Sequence, residues 1–541
     1  MNLLKLIKTE SNVSPRSILI LAVVSGIANG MLMGIINAAA GSASHDNLNF
    51  RYLVMFALAI ILFIVTKRLA MVKSLAIAER VITQFRLRIA NKLRRADLQA
   101  AEQIDHSVVE ARLTQDTMTI SQAFGEIINA LQSAVMILVC VAYLAMLSLA
   151  ACLITVGTIA AGVSIYLANQ RTVSVDLQRS TQKEVEFFHS LGQLVHGFKE
   201  LKMNRAKSTD WFDNSYTATS REGETLKLKT AVQFVKNFMF SQTFFYILIG
   251  IVVFLLPVLS ATYSDVVIKT TAVILFIIGP LTAIVGCIPF FVRANVAVDN
   301  LYQFEATLDA YAQHAEENGG QSAMTFDGFQ SIALRDVAFH YVEPSGQSGF
   351  AVGPFDLTLR RGETVFIVGG NGSGKSTLMK LITGLYHPVQ GELLVDGIPL
   401  RRPHYQNYRE LFSIIFADFH LFDRLYGLPQ VDERRIQEML RDLELTDKTD
   451  FVNGRFTNTN LSTGQRKRLA FITAMLDDRP ILAIDEFAAD QDPVFRAYFY
   501  NVIFKDLKAR GKTVIAVTHD DKYFGVADRV LKMEYGRLVP A

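Results

Sequence analysis

Before residue 300 the chain returns again and again to long runs without a charge, and after it such runs cease. A helix needs about 20 apolar residues to cross the hydrocarbon of a bilayer. Ser17 to Ala40 is the first such run, and Tyr52 to Thr66 is the core of a second. Ile127 to Ala168 is uncharged for long enough to supply a third and a fourth joined by a tight turn, and Asn237 to Ser264 and Thr270 to Val292 complete six. Lys5 and Lys8 precede the first run and Ala38-Ala39-Ala40-Gly41 would suit cleavage, but the run exceeds the ~7 to 15 residues of a signal core and is read as a retained span. At 541 residues the chain also exceeds what one core usually holds, so a second domain is expected.

Basic residues orient the spans. Lys67, Arg68, Lys73, Arg80, Arg86, Arg88, Lys92, Arg94, Arg95 and Arg112 lie between spans two and three, and the connection between spans four and five is also basic. Positive charge marks cytoplasmic loops, so these two face the cytoplasm while Gly41 to Phe50 and Asp265 to Lys269 face outside. Both termini are then cytoplasmic in a multi-pass protein of the inner membrane. The cytoplasmic connections read as helices, for example Val81 to Leu98 and Val185 to Lys202, with turns near Asp97 to Thr117 and Thr209 to Thr217 that are expected to touch the soluble domain. Gly26, Gly30 and Gly34 recur every fourth residue, a pattern for close helix packing. No charge interrupts the spans, which argues against a proton-coupled carrier. Aromatics gather at Phe238, Phe240, Phe244, Phe245, Tyr246, Phe290 and Phe291, where lipid contact is the plain reading and substrate contact the alternative. Cys140, Cys152 and Cys287 lie in apolar runs without metal-ligand spacing and read as packing residues. The net charge of +3 gives no case for nucleic acid.

Leu308 to Ser331 changes to Ala, Glu, Gly and Gln and reads as a linker, dividing a membrane domain (1–307) from a soluble one (332–541). Strands and helices alternate in the second, which predicts an α/β domain with a largely parallel sheet. Val365 to Val368 delivers the chain to Gly369-Gly370-Asn371-Gly372-Ser373-Gly374-Lys375-Ser376-Thr377, which fills the pattern G-x-x-x-x-G-K-S/T and opens a helix from Ser376 to Thr383. Backbone N–H groups of such a loop wrap phosphate oxygens at the positive end of the helix, so the loop is expected to bind ATP. Lys375 would reach the β and γ phosphates and the Ser376 hydroxyl would ligate Mg²⁺. Ile481 to Ile484 is a buried strand ending in Asp485, expected to hold Mg²⁺, and Glu486, expected to act as general base. His519, after the strand Val514 to Val517, would contact the γ-phosphate.

Leu461-Ser462-Thr463-Gly464-Gln465, which opens a helix, resembles the LSGGQ signature of ATP-binding-cassette (ABC) proteins, with Thr463 in place of the first glycine. The resemblance implies that Ser462, Gly464 and Gln465 meet ATP held by a second subunit, that Tyr341 stacks on adenine, that Asp492 is the acid of the interfacial D-loop and that His519 is the switch histidine. Six spans with one cassette then make half a transporter, and a homodimer is implied. The fold expected is an α-helical six-span transmembrane domain of ABC exporter type followed by an α/β P-loop ATPase domain. Phe416-Ala417-Asp418, Asp485-Glu486-Phe487-Ala488-Ala489-Asp490-Gln491-Asp492-Pro493 and Thr518-His519-Asp520-Asp521 are similar to the bacterial cyclic-peptide and siderophore exporters, among them those of pyoverdine precursors, syringomycin-type lipopeptides and a lasso-peptide microcin. Phe198-Lys199-Glu200-Leu201 followed by Asn204-Arg205 shares that likeness. ATP-driven export of a peptide-like compound is the function implied, with a lipid or lipopeptide flippase and an ATP-gated channel or regulatory membrane ATPase as rivals. Most family members carry a glutamine where Ala417 stands; Asp418 is expected either to substitute for it at the metal or only to cap its own loop.

Overall fold

The computed structural model describes residues 16–41, 50–169, 171–255, 264–312, 325–326, 328–342, 348–428 and 431–540. Most of the linker read at Leu308 to Ser331, and the interior of the outside loop Gly41 to Phe50, lie outside the described residues. Contacts divide the chain into two units, Met1–Arg94 with Gln103–Ala310, and Arg95–Glu102 with Tyr311–Ala541.

The first unit is helical: α1 (Arg16–Gly41), α2 (Phe50–Arg95), then, beyond the short α3 (Leu98–Glu102), α4 (Thr117–Leu147), α5 (Leu149–Asn169), α6 (Arg171–His196), α7 (Thr217–Gly250) and α8 (Ser264–Ala312). Among the described residues five helices are long and apolar enough to cross a membrane, and Leu149–Ser164 is a shorter apolar helix. The long uncharged run breaks at Ser148, whose extended backbone (φ −159°, ψ 116°) ends α4. Gly26 and Gly30 pack as their spacing predicts: a Cβ at either would come within 2.7 Å of Val135 or Val139 on α4. Gly34 does not share in this, since nothing lies within 4 Å of its Cβ position.

Helices α2 and α8 are 46 and 49 residues long, far more than a span requires, and their polar ends stay together. Arg88 and Lys92 hold Glu305 at 2.8 and 2.7 Å, and Lys92 also reaches Asp309 at 2.6 Å. Two sequence readings need correction. Asp265 to Lys269 is no link but the first turns of α8. The turn placed at Thr209 to Thr217 is helical too; the chain breaks instead at Gly197 and at Asn204, whose side chain accepts from the Lys207 N–H and starts a new helix that runs through a wide π-type turn, Trp211–Tyr216, into α7. Asn, like Asp and Ser, is favoured as such a cap because its short oxygen reaches a free backbone donor.

Among its described residues the second unit holds three sheets, the smallest a two-stranded ladder of β7 (Phe451–Val452) and β8 (Arg455–Phe456). The expected parallel sheet has six strands in the order β12-β11-β3-β10-β9-β6, with only β12 antiparallel. In chain order these are β3 (Thr364–Gly369), β6 (Phe412–Ile415), β9 (Ile481–Asp485), β10 (Thr513–Val517), β11 (Arg529–Glu534) and β12 (Arg537–Val539). The sequence reading missed a separate antiparallel sheet, β2-β1-β4-β5, built from β1 (Ser331–Val342), β2 (Ser348–Arg360), β4 (Gln390–Val395) and β5 (Ile398–Pro399). Buried residues gather in two clusters, one around Ile332, Leu357, Ile367 and Leu381, the other around Phe366, Leu440, Leu469 and Phe499. Val365 and Phe366, one strand position apart, belong to different clusters because successive side chains face opposite sides of a sheet. Parallel register does the work that matters for function. Val517 pairs with Ile367 on one side and Asp485 on the other, and Ile415 pairs with Ile484, so the chain leaves β3, β6, β9 and β10 at one edge. Ligands of open α/β sheets bind at the carboxyl ends of the strands.

Candidate ATP site

At that edge β3 turns into α9 (Lys375–Ile382) through the glycine loop. Gly369 (φ 149°) and Gly374 (φ 100°) take backbone angles closed to side chains; a Cβ at Gly369 would lie 2.3 Å from the Met533 carbonyl oxygen, and one at Gly374 2.6 Å from Val352. Lys375 is 6% exposed and its ammonium donates to the Gly369 and Gly370 carbonyls at 3.0 Å each, folded back over the loop it is expected to share with phosphate. The Ser373 hydroxyl is buried and has no partner among the described residues, and Asn371 is exposed. Tyr341 arrives from the other sheet, its hydroxyl 3.0 Å from the Thr377 hydroxyl on α9.

Asp485 ends β9 at 2% exposure, and among the described residues its Oδ1 has no hydrogen-bond partner. Burial pushes its carboxyl above the ordinary carboxylate range; the Ser376 hydroxyl opposes this, Glu486 adds to it, Lys375 opposes it and Asp418 adds to it. An orphaned, crowded carboxyl oxygen beside a serine hydroxyl is the setting that a divalent cation satisfies, so these residues fit Mg²⁺. Among the described residues no three His, Cys, Asp or Glu side chains form a metal cluster. Asp418 lies exposed in the turn after β6, next to exposed Ala417.

Glu486 is in the left-handed region (φ 50°, ψ 40°), a conformation that costs a non-glycine residue roughly 1–2 kcal/mol. The turn aims its carboxylate at His519 Nε2, 3.2 Å away, and leaves Lys375 Nζ at 3.9 Å. The three residues expected to carry catalysis are thus brought together, although they are widely separated in sequence.

The signature residues lie elsewhere. Ser462 and Thr463 are exposed at the start of α10 (Thr463–Asp477), and the Ser462 N–H donates to Gln465 Oε1 at 3.2 Å. Gln465, expected at the nucleotide, therefore caps its own helix here. Gly464 is required by the D-loop, because a Cβ there would lie 2.6 Å from the Asp490 carbonyl oxygen. Asp492 accepts from the Phe495 N–H at 2.9 Å, capping α11 (Pro493–Tyr498), and pairs with Arg468 at 2.7 Å. That amide and that guanidinium hold its carboxyl below the usual range. Among the described residues no hydrogen bond joins Ser462 to Gln465 with the glycine loop.

Sequence reasoning missed two groups. Lys467 and Arg468 lace α10 to the D-loop: Lys467 is 2.6 Å from Asp490, and Arg468 reaches Gln491 at 2.8 Å and lies 3.7 Å over the Phe495 ring. The second group sits on α3, the turn expected to touch the soluble domain. Glu102 pairs with Lys380 on α9 at 2.7 Å and accepts from the Tyr386 hydroxyl, while His387 lies 3.4 Å from Asp97. Tyr386 stacks on Phe339 and meets Tyr341 edge-on at 5.9 Å. Only the coupling-turn reading pointed there, without naming a residue.

Among the described residues two cavities of the first unit bear on cargo. One of about 130 Å³ is walled by Gly162 on α5, Phe240, Phe244 and Phe245 on α7, and Ile284 and Ile288 on α8. It takes three of the aromatics singled out in the sequence, whereas Tyr246 is 70% exposed and Phe290 and Phe291 pack into a different cluster. The other, of about 410 Å³, is polar and walled by Asp116, Ser180, Glu184, Lys227, Thr230 and Arg293. Lys227 and Glu184 pair at 3.0 Å and Asp116 pairs with Arg112 at 2.9 Å, while among the described residues Arg293 has no ionic partner. Both cavities share α7 and α8, nine residues apart between Ile284 and Arg293, which is roughly 13 Å of helix.

Residues 352–489 match the ABC transporter family. The chain is 32% identical to ATP-binding protein SyrD of Pseudomonas syringae pv. syringae, over 96% of this chain and 93% of that one. It is 26% identical to an ATP-dependent lipid A-core flippase of Francisella tularensis (86% and 77% covered) and 22% identical to the subtilin transport ATP-binding protein SpaT of Bacillus subtilis (63% and 57% covered). In fold it is similar to a bacterial Atm1-family ABC exporter with ATP bound, at TM-score 0.78 and 16% identity over 98% of this chain and 95% of that one. With a helical membrane domain, a phosphate loop and an acid pair joined in one chain, the protein belongs to the ABC transporters, as an exporter that couples ATP hydrolysis to transport.

Proposed function

We propose that the chain works as a homodimer in the inner membrane, with both termini cytoplasmic, and exports an amphipathic peptide-like compound of cyclic-peptide, lipopeptide or siderophore type. The observation that carries the cargo reading is the pair of cavities on shared helices. A polar pocket with an ion pair and Arg293, which has no ionic partner among the described residues, suits a peptide head or carboxylate, and the aromatic and aliphatic pocket about 13 Å along α8 suits its apolar part. The relative named for subtilin transport supports a peptide, and the lipid A-core flippase keeps a lipid reading in play. At the ATP site Lys375 and the loop amides bind phosphate, Ser376 and Asp485 would hold Mg²⁺, Glu486 takes a proton from the attacking water and His519 contacts the γ-phosphate. Bound Mg²⁺ neutralises charge on the transferred phosphoryl group.

The test is ATP-dependent uptake into inside-out proteoliposomes of an N-acylated cyclic peptide, run beside a fluorescent-phospholipid flip assay and an ion-flux assay. Concentrative peptide uptake is expected. Lipid flipping without peptide uptake would replace the cargo by lipid, and ion flux alone would replace transport by gating.

Asp418 gives a second expected result. If its carboxylate serves the metal-bound water in place of the missing glutamine, Asp418→Ala reduces substrate-stimulated hydrolysis much more than ATP affinity, and Ala417→Gln is tolerated or mildly activating. Full stimulation in Asp418→Ala would assign coupling to other loop contacts.

A further inference from the structure

A lysine of the signature helix grips the backbone of Glu486. Lys467 is 4% exposed on α10, and its ammonium donates to the Glu486 carbonyl oxygen at 2.6 Å. Its other partner is the Asp490 carboxylate, also at 2.6 Å. A buried ammonium is costly unless it is paired and hydrogen-bonded, whereas a methionine would fill the same helix position without that cost. What the charge accomplishes is local: it clamps the peptide that follows Glu486 in a residue held left-handed at φ 50°. On the other side the Glu486 N–H donates to the Val517 carbonyl at 3.1 Å. The backbone on both sides of the strained residue is thus tied, one tie by β10 and one by Lys467.

The geometry points to Lys467 as a positioning residue for hydrolysis, one that fixes the left-handed turn from which the Glu486 carboxylate faces His519 and Lys375. The inference rests on Glu486 being the base. Without the Lys467 tie, the Glu486 carbonyl keeps only the bond of the short 3-10 turn Phe487–Asp490, and the residue relaxes toward commoner backbone angles. Its carboxylate then leaves the line to the attacking water. Displacements of about 1 Å at a reacting group cost on the order of 100-fold in rate. Nucleotide binding is spared, because Lys375, Ser376 and the loop glycines are held by β3 and α9 and, among the described residues, make no hydrogen bond to Lys467.

The same helix carries Ser462 and Gly464 at its start. Movement of that end is therefore passed to Glu486 through Lys467, beside the Phe471–Phe487 ring contact, and the D-loop moves with it, since Gln491 donates to the Gly464 carbonyl at 3.0 Å.

The experiment measures ATPase activity of the full-length protein in nanodiscs. Lys467→Met is expected to lower kcat about 10- to 100-fold with the ATP KM within about twofold of wild type. Lys467→Arg, which keeps a cationic donor, restores part of kcat. Asp490→Asn, which leaves the carbonyl bond in place, stays within about threefold of wild type. Should the Met variant fail to fold, Lys467→Gln is read by the same split between kcat and KM. A Lys467→Met enzyme with near-normal kcat, a loss shared equally by kcat and ATP affinity, or an Asp490→Asn variant as impaired as Lys467→Met would each overturn the assignment. Glu486→Gln is assayed alongside. Normal hydrolysis there removes the base reading itself, whereas an inactive Glu486→Gln beside a normal Lys467→Met removes only the tether.

Discussion

Glu486→Gln is expected to bind ATP as the wild type does and to turn it over about 10² to 10⁴ times more slowly, the usual contribution of a positioned acid–base group. In barrier height that is roughly 3 to 5 kcal/mol. The structure gives reasons to expect the split. The amide keeps the size of the carboxylate and can still meet His519 at 3.2 Å, so the left-handed turn and its two backbone ties survive. Lys375 depends little on Glu486, because its ammonium already has the Gly369 and Gly370 carbonyls at 3.0 Å and lies 3.9 Å from the acid. What disappears is the capacity to accept a proton. Equilibrium binding of a fluorescent ATP analogue and steady-state phosphate release on the same preparation separate the two quantities, and the nucleotide-bound dimer should persist in the variant. Near-normal phosphate release would move the role to His519.

The parts of this site that could be read in the sequence are those where backbone geometry restricts residue choice. Gly369 and Gly374 occupy angles and spaces that exclude a Cβ, so the loop announces itself in a string of glycines followed by Lys375 and Ser376. Asp485 and Glu486 follow a strand buried along its whole length, which a short aliphatic run signals well. Reading failed where the partner is distant or the signal is balanced. The sheet β2-β1-β4-β5 was missed because its strands are interrupted by register shifts, such as that between Leu334 and Val337, which blur the alternation of apolar and polar residues. The helix break at Asn204 was placed too late because Thr209 to Thr217 contains the polar residues of a turn, yet a π-type turn keeps it helical. Lys467 and Glu102 look like surface charges in sequence. Only the folded chain reveals that one lies 2.6 Å from the Glu486 carbonyl and the other 2.7 Å from Lys380.

Mixed dimers test the largest step beyond a single chain. Ser462 and Gly464 stand at the start of α10, exposed or packed on the D-loop, and make no hydrogen bond to the glycine loop among the described residues. Free N–H groups at a helix N-terminus bind anions, so they are suited to a phosphate presented by a second copy. If each ATP lies between Lys375 of one subunit and Ser462 of its partner, then Lys375→Ala and Ser462→Arg each inactivate both sites of their own homodimer. A mixed dimer collects both lesions in one site and leaves the other intact. With equal amounts and full exchange, half the dimers are mixed and carry one working site of two, so independent sites give about a quarter of wild-type hydrolysis, as twofold symmetry dictates. Orthogonal affinity tags isolate the mixed species and prove exchange, and phosphate release is then measured per dimer. Inactivity of the purified mixed dimer, with ATP still bound at one site, would mean that both sites must fire together. Inactivity with no ATP retained at either site would remove the shared-site reading, because each chain would then need its own Ser462 to hold its own nucleotide.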